Sequence, residues 1–301
     1  MTRVAGVVLA AGVGYRLRPI TDAWPKPLTP VLGRTLLDRA IEALQCAGAE
    51  SIFVNTYAGA DRIEEHLQST WPEVCSRREV MLSGPAGALR CFRDDLAEYD
   101  QVLVVSGDTI FDDTLTGLLE THDFRASSLT FGTRKMQEAH RFGVLDVDEN
   151  GVLLSAREKP DVPADLFFTV STGIYALQPH VIDLLPGDGI ADFVTDLFPA
   201  LKGEAVLAYP LVGDWFDIGT PDALQRVVAQ LLRDRPNTQY VAPEAIVAPD
   251  ATLKGCVAIE QGTRVGRGVW IQDAILLPGA NIPDGSFVVN GVFGGSNATN
   301  Y

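Results

Sequence analysis

Apolar positions along this chain follow three successive rhythms. They form short continuous runs separated by helical spacing at first, give way to closely spaced strand-like runs from Ser127, and recur every sixth residue near the end. Val4 to Ala11, Ser51 to Asn55, Val80 to Leu82 and Val102 to Ser106 are apolar runs of buried-strand length. Between them, Thr35 to Ala47 carries Leu36, Leu37, Ala40, Ile41 and Leu44 at helical spacing, with Gly48 as its C-cap. Ala60 to Gln68 and Ala86 to Leu96 also predict helices. Alternating strands and helices predict an α/β domain with a parallel or mostly parallel sheet covered on both faces. Ligands of such sheets bind beyond the carboxyl ends of the strands.

From Ser127 the rhythm changes. Ser128 to Thr133, Gly143 to Val147 and Val152 to Ala156 read as strands, and Asn150-Gly151 joins the last two as a hairpin. This predicts an antiparallel excursion beside the sheet. Asp192 to Pro199 reads as a supporting helix, and Thr220 caps another that starts at Pro221. Beyond Arg235-Pro236-Asn237, Val247, Leu253, Ile259, Val265, Ile271 and Leu277 recur at six-residue intervals. Ala251, Val257, Thr263, Val269 and Ile275 form a second series with the same period. A hexapeptide period signals a β-helix. The register fails at Pro283, which predicts a short stub of about two coils that stabilises or dimerises the protein. The expected division is 1–236 for the α/β domain and 237–301 for the tail.

The 301 residues carry a formal charge of −15, which repels nucleic acid and anionic membranes. Any phosphate site must therefore gather its cations locally. Cys46, Cys75, Cys91 and Cys256 form no C-x-x-C, so a reduced cytoplasmic protein with free thiols is expected. His66, His122, His140 and His180 lack metal-ligand spacing. The apolar start leads straight into a charged loop, unlike a signal peptide, and no run approaches a membrane span.

That loop is the strongest chemical signal. Gly12 and Gly14 break the first strand, and Arg16, Arg18 and Lys26 follow among Pro19, Pro25, Pro27 and Pro30. Glycines admit a phosphate close to the backbone, cations neutralise it, and prolines stiffen the segment. On spacing alone, a glycine turn at the mouth of any α/β domain competes with this reading. Neither a P-loop nor a G-x-G-x-x-G fingerprint is present. Gly84 and Gly87, in Ser83 to Leu89, sit in a strand-to-helix turn that could receive a base or phosphate. Asp108 follows a buried apolar run, where it is either a Mg²⁺ ligand or the N-cap of the next helix. Arg157-Glu158-Lys159, taken alone, reads as a solvated face.

Leu9-Ala10-Ala11-Gly12, Gly14, Arg16-Leu17, Pro19 and Pro25-Lys26-Pro27-Leu28 together resemble the signature of the sugar-1-phosphate nucleotidylyltransferases. The resemblance implies a Rossmann-like, mostly parallel α/β nucleotidyltransferase domain with a short left-handed β-helix tail. It implies that Leu9, Ala10, Ala11, Gly12, Gly14, Arg16, Lys26, Gly84, Gly87 and Asp108 bind the nucleotide, and that Arg16, Lys26 and Asp108 are catalytic. Pro85 replaces the family's threonine in G-T-A-G-A-L. Asp108 and Asp217 would converge on one Mg²⁺. Gly143, Glu158 and Lys159 would face the sugar phosphate, as would Ser171, Thr172 and Gly173 in a segment resembling N-A-G-I-Y.

The implied reaction is attack of a sugar 1-phosphate oxygen on the α-phosphorus of a nucleoside triphosphate, by positioning and charge neutralisation without a general base. The loop, the A-G-A-L segment and the short tail look most like mannose-1-phosphate guanylyltransferases. Other bases, or a heptose or cyclitol phosphate, are the alternatives, and a homo-oligomer is expected. An acyltransferase is disfavoured because every histidine lies at or before position 180. A non-catalytic regulatory homologue would have lost site charges, and Arg16, Lys26, Asp108, Lys159 and Asp217 are all present.

Overall fold

The computed structural model describes residues 2–233, 235–294 and 299–300. Contacts divide the chain into two compact units, Met1–Gly12 with Ala40–Trp215, and Val13–Arg39 with Phe216–Tyr301.

The first unit is built on a nine-stranded sheet. Its strands are β1 (Val4–Leu9), β2 (Ser51–Thr56), β3 (Cys75–Arg78), β4 (Gln101–Ser106), β5 (Leu129–Met136), β6 (Gly143–Val147), β7 (Leu153–Glu158), β8 (Phe168–Leu177) and β9 (Val206–Pro210). In the order β4-β1-β2-β3 the strands run parallel. β8 lies antiparallel to β4, β5 and β6, and β6 and β7 form the expected antiparallel hairpin. The parallel centre is the continuous apolar part of the sequence because both its faces are covered. Phe131 meets Tyr175 edge-on at 5.2 Å, and Tyr175 stacks on Phe193 at 3.7 Å. The helices Ala60–Thr70 and Thr116–Phe124 belong to this unit.

Three expectations change. Val80 to Leu82 is not a strand. Val80 and Met81 are 94% and 75% exposed, and the polar Cys75–Arg78 takes the pairing position on β2. An edge strand needs no buried side chains, so three consecutive apolar residues misled. The predicted helix over 86–96 is a 3₁₀ segment, Gly87–Phe92, followed by one α turn, Arg93–Leu96. Asp192 to Pro199 opens as a π turn, Phe193–Leu197, capped by the Asp192 carboxylate accepting the Val194 N–H at 2.7 Å.

Thr35 and Asp38 cap the helix Leu36–Cys46 reciprocally, each side chain accepting the other's N–H at 3.0 Å. Residues 239–294 form two parallel sheets. Ladder partners stand eighteen residues apart at first (Gln239 with Val257, Ile246 with Arg264, Thr252 with Trp270). The spacing then tightens to seventeen (Ala258 with Ile275, Arg264 with Asn281, Trp270 with Phe287). The expected stop at Pro283 is corrected accordingly. Ile282, 1% exposed, takes the place that strict six-residue counting assigns to Pro283, and the ladder continues through Phe287–Gly294. Val257, Ile259, Val265, Ile271, Leu276 and Ile282 pack its interior. Thr220 caps the helix Pro221–Leu232 as read, accepting the Ala223 N–H at 3.1 Å.

Candidate active site

In the second unit, Gly14 adopts φ +70°, and a β-carbon there would lie 3.0 Å from both Lys26 Cβ and Thr21 Cγ2. A glycine is required on both counts. Thr21 Oγ1 donates to the Gly14 carbonyl at 3.0 Å, folding the loop back on itself. Lys26 opens the 3₁₀ turn Lys26–Leu28 between two prolines and is only 7% exposed. Arg18 is held at the surface by Asp22 at 3.2 Å and by the ring of Tyr15. Arg16 goes elsewhere: a β-carbon on Gly219 would lie 3.2 Å from Arg16 Nη2 and 3.1 Å from Asp217 Oδ2. Two predicted site residues, distant in the chain, thus converge on a glycine that leaves them room.

In the first unit, Gly107 presses on the end of β1. Its N–H donates to the Leu9 carbonyl at 2.9 Å, and a β-carbon would sit 2.9 Å from the same oxygen. This holds Asp108, half-buried, just past the carboxyl end of β4. The capping alternative for Asp108 fails, because it is followed by the strand Thr109–Phe111 and the next helix begins at Thr116. The Ala10 N–H is taken by Asn55 Oδ1 at 2.9 Å, and Asn55 Nδ2 donates to Glu79. Glu79 in turn accepts the Ser83 N–H at 2.8 Å and the Ser83 hydroxyl. This buried chain ties the end of β1 to the segment bearing Gly84 and Gly87. Gly84 has φ +78°, and a β-carbon there would meet the Ala191 carbonyl at 2.5 Å. That carbonyl also accepts the Ala86 and Gly87 N–H groups, so these two amides are committed internally rather than open to an anion.

Gly143, Glu158 and Ser171 come together. A β-carbon on Gly143 would lie 3.2 Å from Glu158 Oε2, 3.7 Å from Ser171 Cβ and 2.8 Å from Val194. Lys159, at φ +42°, pairs with Glu158 at 2.6 Å and donates its N–H to the Phe142 carbonyl. A bulge in β8 at Ser171 to Tyr175 seats Gly173 (φ +77°) on Ser106, where a β-carbon would stand 2.4 Å from the hydroxyl oxygen. Ser171 and Thr172 turn their hydroxyls inward, to Tyr175 Oη at 3.2 Å and to the Gly132 carbonyl at 2.7 Å. The Thr172 carbonyl accepts from the Trp215 indole.

Sequence reasoning missed Asn55, Glu79 and Asp192. Burial pushes the Asp192 carboxyl up, the Val194 N–H pulls it back, and Glu158 nearby adds to the rise. Asp192 could be found as a cap; Asn55 and Glu79 left no motif, since only tertiary structure joins them.

The chain matches the nucleotidyl transferase family over residues 5–234. It is 30% identical to the UTP–glucose-1-phosphate uridylyltransferase of a Synechocystis strain, covering 95% of this chain and 81% of that protein. It is 26% identical to the mannose-1-phosphate guanylyltransferase of Mycobacterium tuberculosis, covering 95% and 83%. It is also 26% identical to a glucose-1-phosphate adenylyltransferase of Bacillus thuringiensis, covering 93% and 88%. The first-loop signature, the strand-end Gly107-Asp108 and a match over most of the chain agree: this protein belongs to the nucleotidyl transferase family, as its resemblance to the sugar-1-phosphate nucleotidylyltransferases implied.

Proposed function

We propose that this protein joins a nucleoside triphosphate and a sugar 1-phosphate into a nucleotide sugar, with GTP and mannose 1-phosphate the preferred pair. A phosphate oxygen of the sugar attacks the α-phosphorus, the bond from that phosphorus to the bridging oxygen breaks, and pyrophosphate leaves. The attacking phosphate is already ionised near neutral pH, so no proton need be removed. The remaining task is to hold mutually repelling anions in line. The backbone from Leu9 to Gly14 receives the triphosphate, Arg16 steadies its β and γ phosphates, and Lys26 meets the charge that grows at the α-phosphate. Glu158 accepts sugar hydroxyls, Lys159 holds the sugar's phosphate, and the backbone at Gly143 and Ser171 to Gly173 lines the sugar.

Asp108 and Asp217 are the proposed carboxylate ligands of Mg²⁺. Among the described residues no group of three or more His, Cys, Asp or Glu side chains is set to hold a metal. Mg²⁺ completed by phosphate oxygens and water needs only one or two carboxylates, so these residues fit it. When bound, the ion neutralises phosphate charge. The observation that carries the reading is the meeting of Arg16 and Asp217 at Gly219. The preference for GTP rests on the first loop, the A-G-A-L segment and the short tail.

We also propose 1–236 as the nucleotidyltransferase domain and 237–301 as a short β-helix that supports a cytoplasmic homo-oligomer. The parallel ladder that begins at Gln239 and the end of the family match at residue 234 support this division. Among the described residues no helix is long and apolar enough to cross a membrane.

Pyrophosphate release, measured across four triphosphates and a panel of sugar 1-phosphates, tests the reaction. No release with any pair overturns it. Asp108→Asn is expected to abolish turnover with the melting temperature nearly unchanged, and an active variant would remove Asp108 from the metal site.

A further inference from the structure

Glu260 is 1% exposed and lies just past the strand Val257–Ile259 of the tail. Its two carboxylate oxygens are divided between consecutive backbone amides of a distant turn: Leu32 N–H to Oε1 at 2.8 Å and Gly33 N–H to Oε2 at 2.9 Å. Those two residues connect Pro30–Val31 to Arg34–Thr35, and both are left-handed, at φ +55° and +80°. Such a turn favours Asn-Gly, because an ordinary side chain at its first position is disfavoured there. Leu32 has no polar side chain to stabilise itself, so the turn draws on support from outside.

Successive amides in this conformation form a cup for an anion, and Glu260 fills it. The grip has two more parts. Arg39 Nη2 donates to the Val31 carbonyl at 2.7 Å, and the Tyr240 hydroxyl stands 2.1 Å from where a Gly33 β-carbon would be. The chain then leads from the turn to the cations without slack. Leu36 N–H donates to the Thr29 carbonyl, Thr29 N–H donates to the Lys26 carbonyl, and Lys26 Cβ touches the space over Gly14.

We propose that Glu260 is a positioning residue for the triphosphate loop, so that the tail holds Lys26 and Gly14 in register through the Leu32–Gly33 turn. The inference rests on the nucleotidyl-transfer reading and assigns the tail a part in it without contact to substrate. Misplacement of a catalytic group by about 1 Å costs up to about 100-fold in rate.

The test uses the full chain with the best triphosphate and sugar phosphate from the panel. Glu260→Gln retains size but can satisfy only one of the two amides. A fall of at least about tenfold in kcat/KM for the triphosphate is expected, with KM for the sugar phosphate unchanged. Unchanged kinetics in a folded variant overturn the proposal. So does a rise in both KM values that merely tracks a lost melting temperature, since that is a structural role alone. If the variant does not fold, hydrogen exchange on the wild type decides. Leu32 and Gly33 amides as slow as those of the tail ladder support the grip, and amides exchanging at the rate of an open turn overturn it. If the wild type turns over no pair, the transfer reading falls, and amide exchange alone decides whether the tail holds the turn.

Discussion

The two segments proposed to meet phosphate hold their lysines in opposite ways. Lys26 is 7% exposed, fixed in a 3₁₀ turn between prolines, with Gly14 against its stem. Lys159 lies just past the strand Leu153–Glu158 with its side chain 63% exposed, paired with its own neighbour Glu158. A buried, pre-set ammonium loses little freedom when a ligand arrives, and its orientation is settled by the fold. An exposed ion pair is worth little, so Lys159 can exchange Glu158 for an incoming phosphate at small cost. On the proposed reading, the fixed Lys26 sets the transition-state geometry and the exposed Lys159 accommodates the acceptor.

Lys26→Ala is the sharpest test of that contrast. Turnover is expected to fall on the order of 100-fold or more at saturating substrate, whereas Lys159→Ala should act mainly on KM for the sugar phosphate. Steady-state kinetics that show both losses in KM alone would erase the distinction.

The sheet-bearing unit also carries a pH liability in His122. It is 1% exposed with Nδ1 2.9 Å from Thr130 Oγ1, and burial depresses its pKa from 6.5 to about 4. The folded state therefore holds the ring neutral while the unfolded chain takes up a proton below pH 6.5. Stability is fully present above 6.5 and is lost as pH falls toward 4, by at most roughly 3 kcal/mol. Melting followed from pH 7 to 4 should show this decline, and His122→Gln should flatten it.

A methyl at Gly143 would crowd Val194 and Glu158, so Gly143→Ala is expected to raise KM for the sugar phosphate by about tenfold and leave that for the triphosphate alone. Equal effects on both substrates would break the division of labour. The smallest expected effect is Thr220→Ala, which removes the cap of Pro221–Leu232 and should cost about 1 kcal/mol in denaturant unfolding.

Much of this architecture could be read in advance where physics is local. The continuous runs of β1, β2 and β4 announced strands covered on both faces, and Asn150-Gly151 announced its hairpin. Thr220-Pro221 announced a capped helix. The errors came where apolar character and pairing part company: exposed Val80 and Met81 imitated a strand, while polar Cys75–Arg78 formed one. The tail's period was legible, but its one-residue shortening was not, because the ladder absorbs it at a corner where Asp273 turns left-handed.

By itself the sequence determined the glycine turn with its gathered cations and the buried strands Val4–Leu9, Ser51–Thr56 and Gln101–Ser106, since glycine freedom, charge and periodicity act over a few residues. Only the tertiary structure decided that Arg16 meets Asp217 at Gly219, that Asn55 and Glu79 bind the end of β1 to the Ser83 turn, and that Glu260 fills the cup at Leu32 and Gly33. Asn55, Glu79 and Glu260 are buried, and a buried polar group takes whichever partner the fold brings within reach, however far away it lies in the chain.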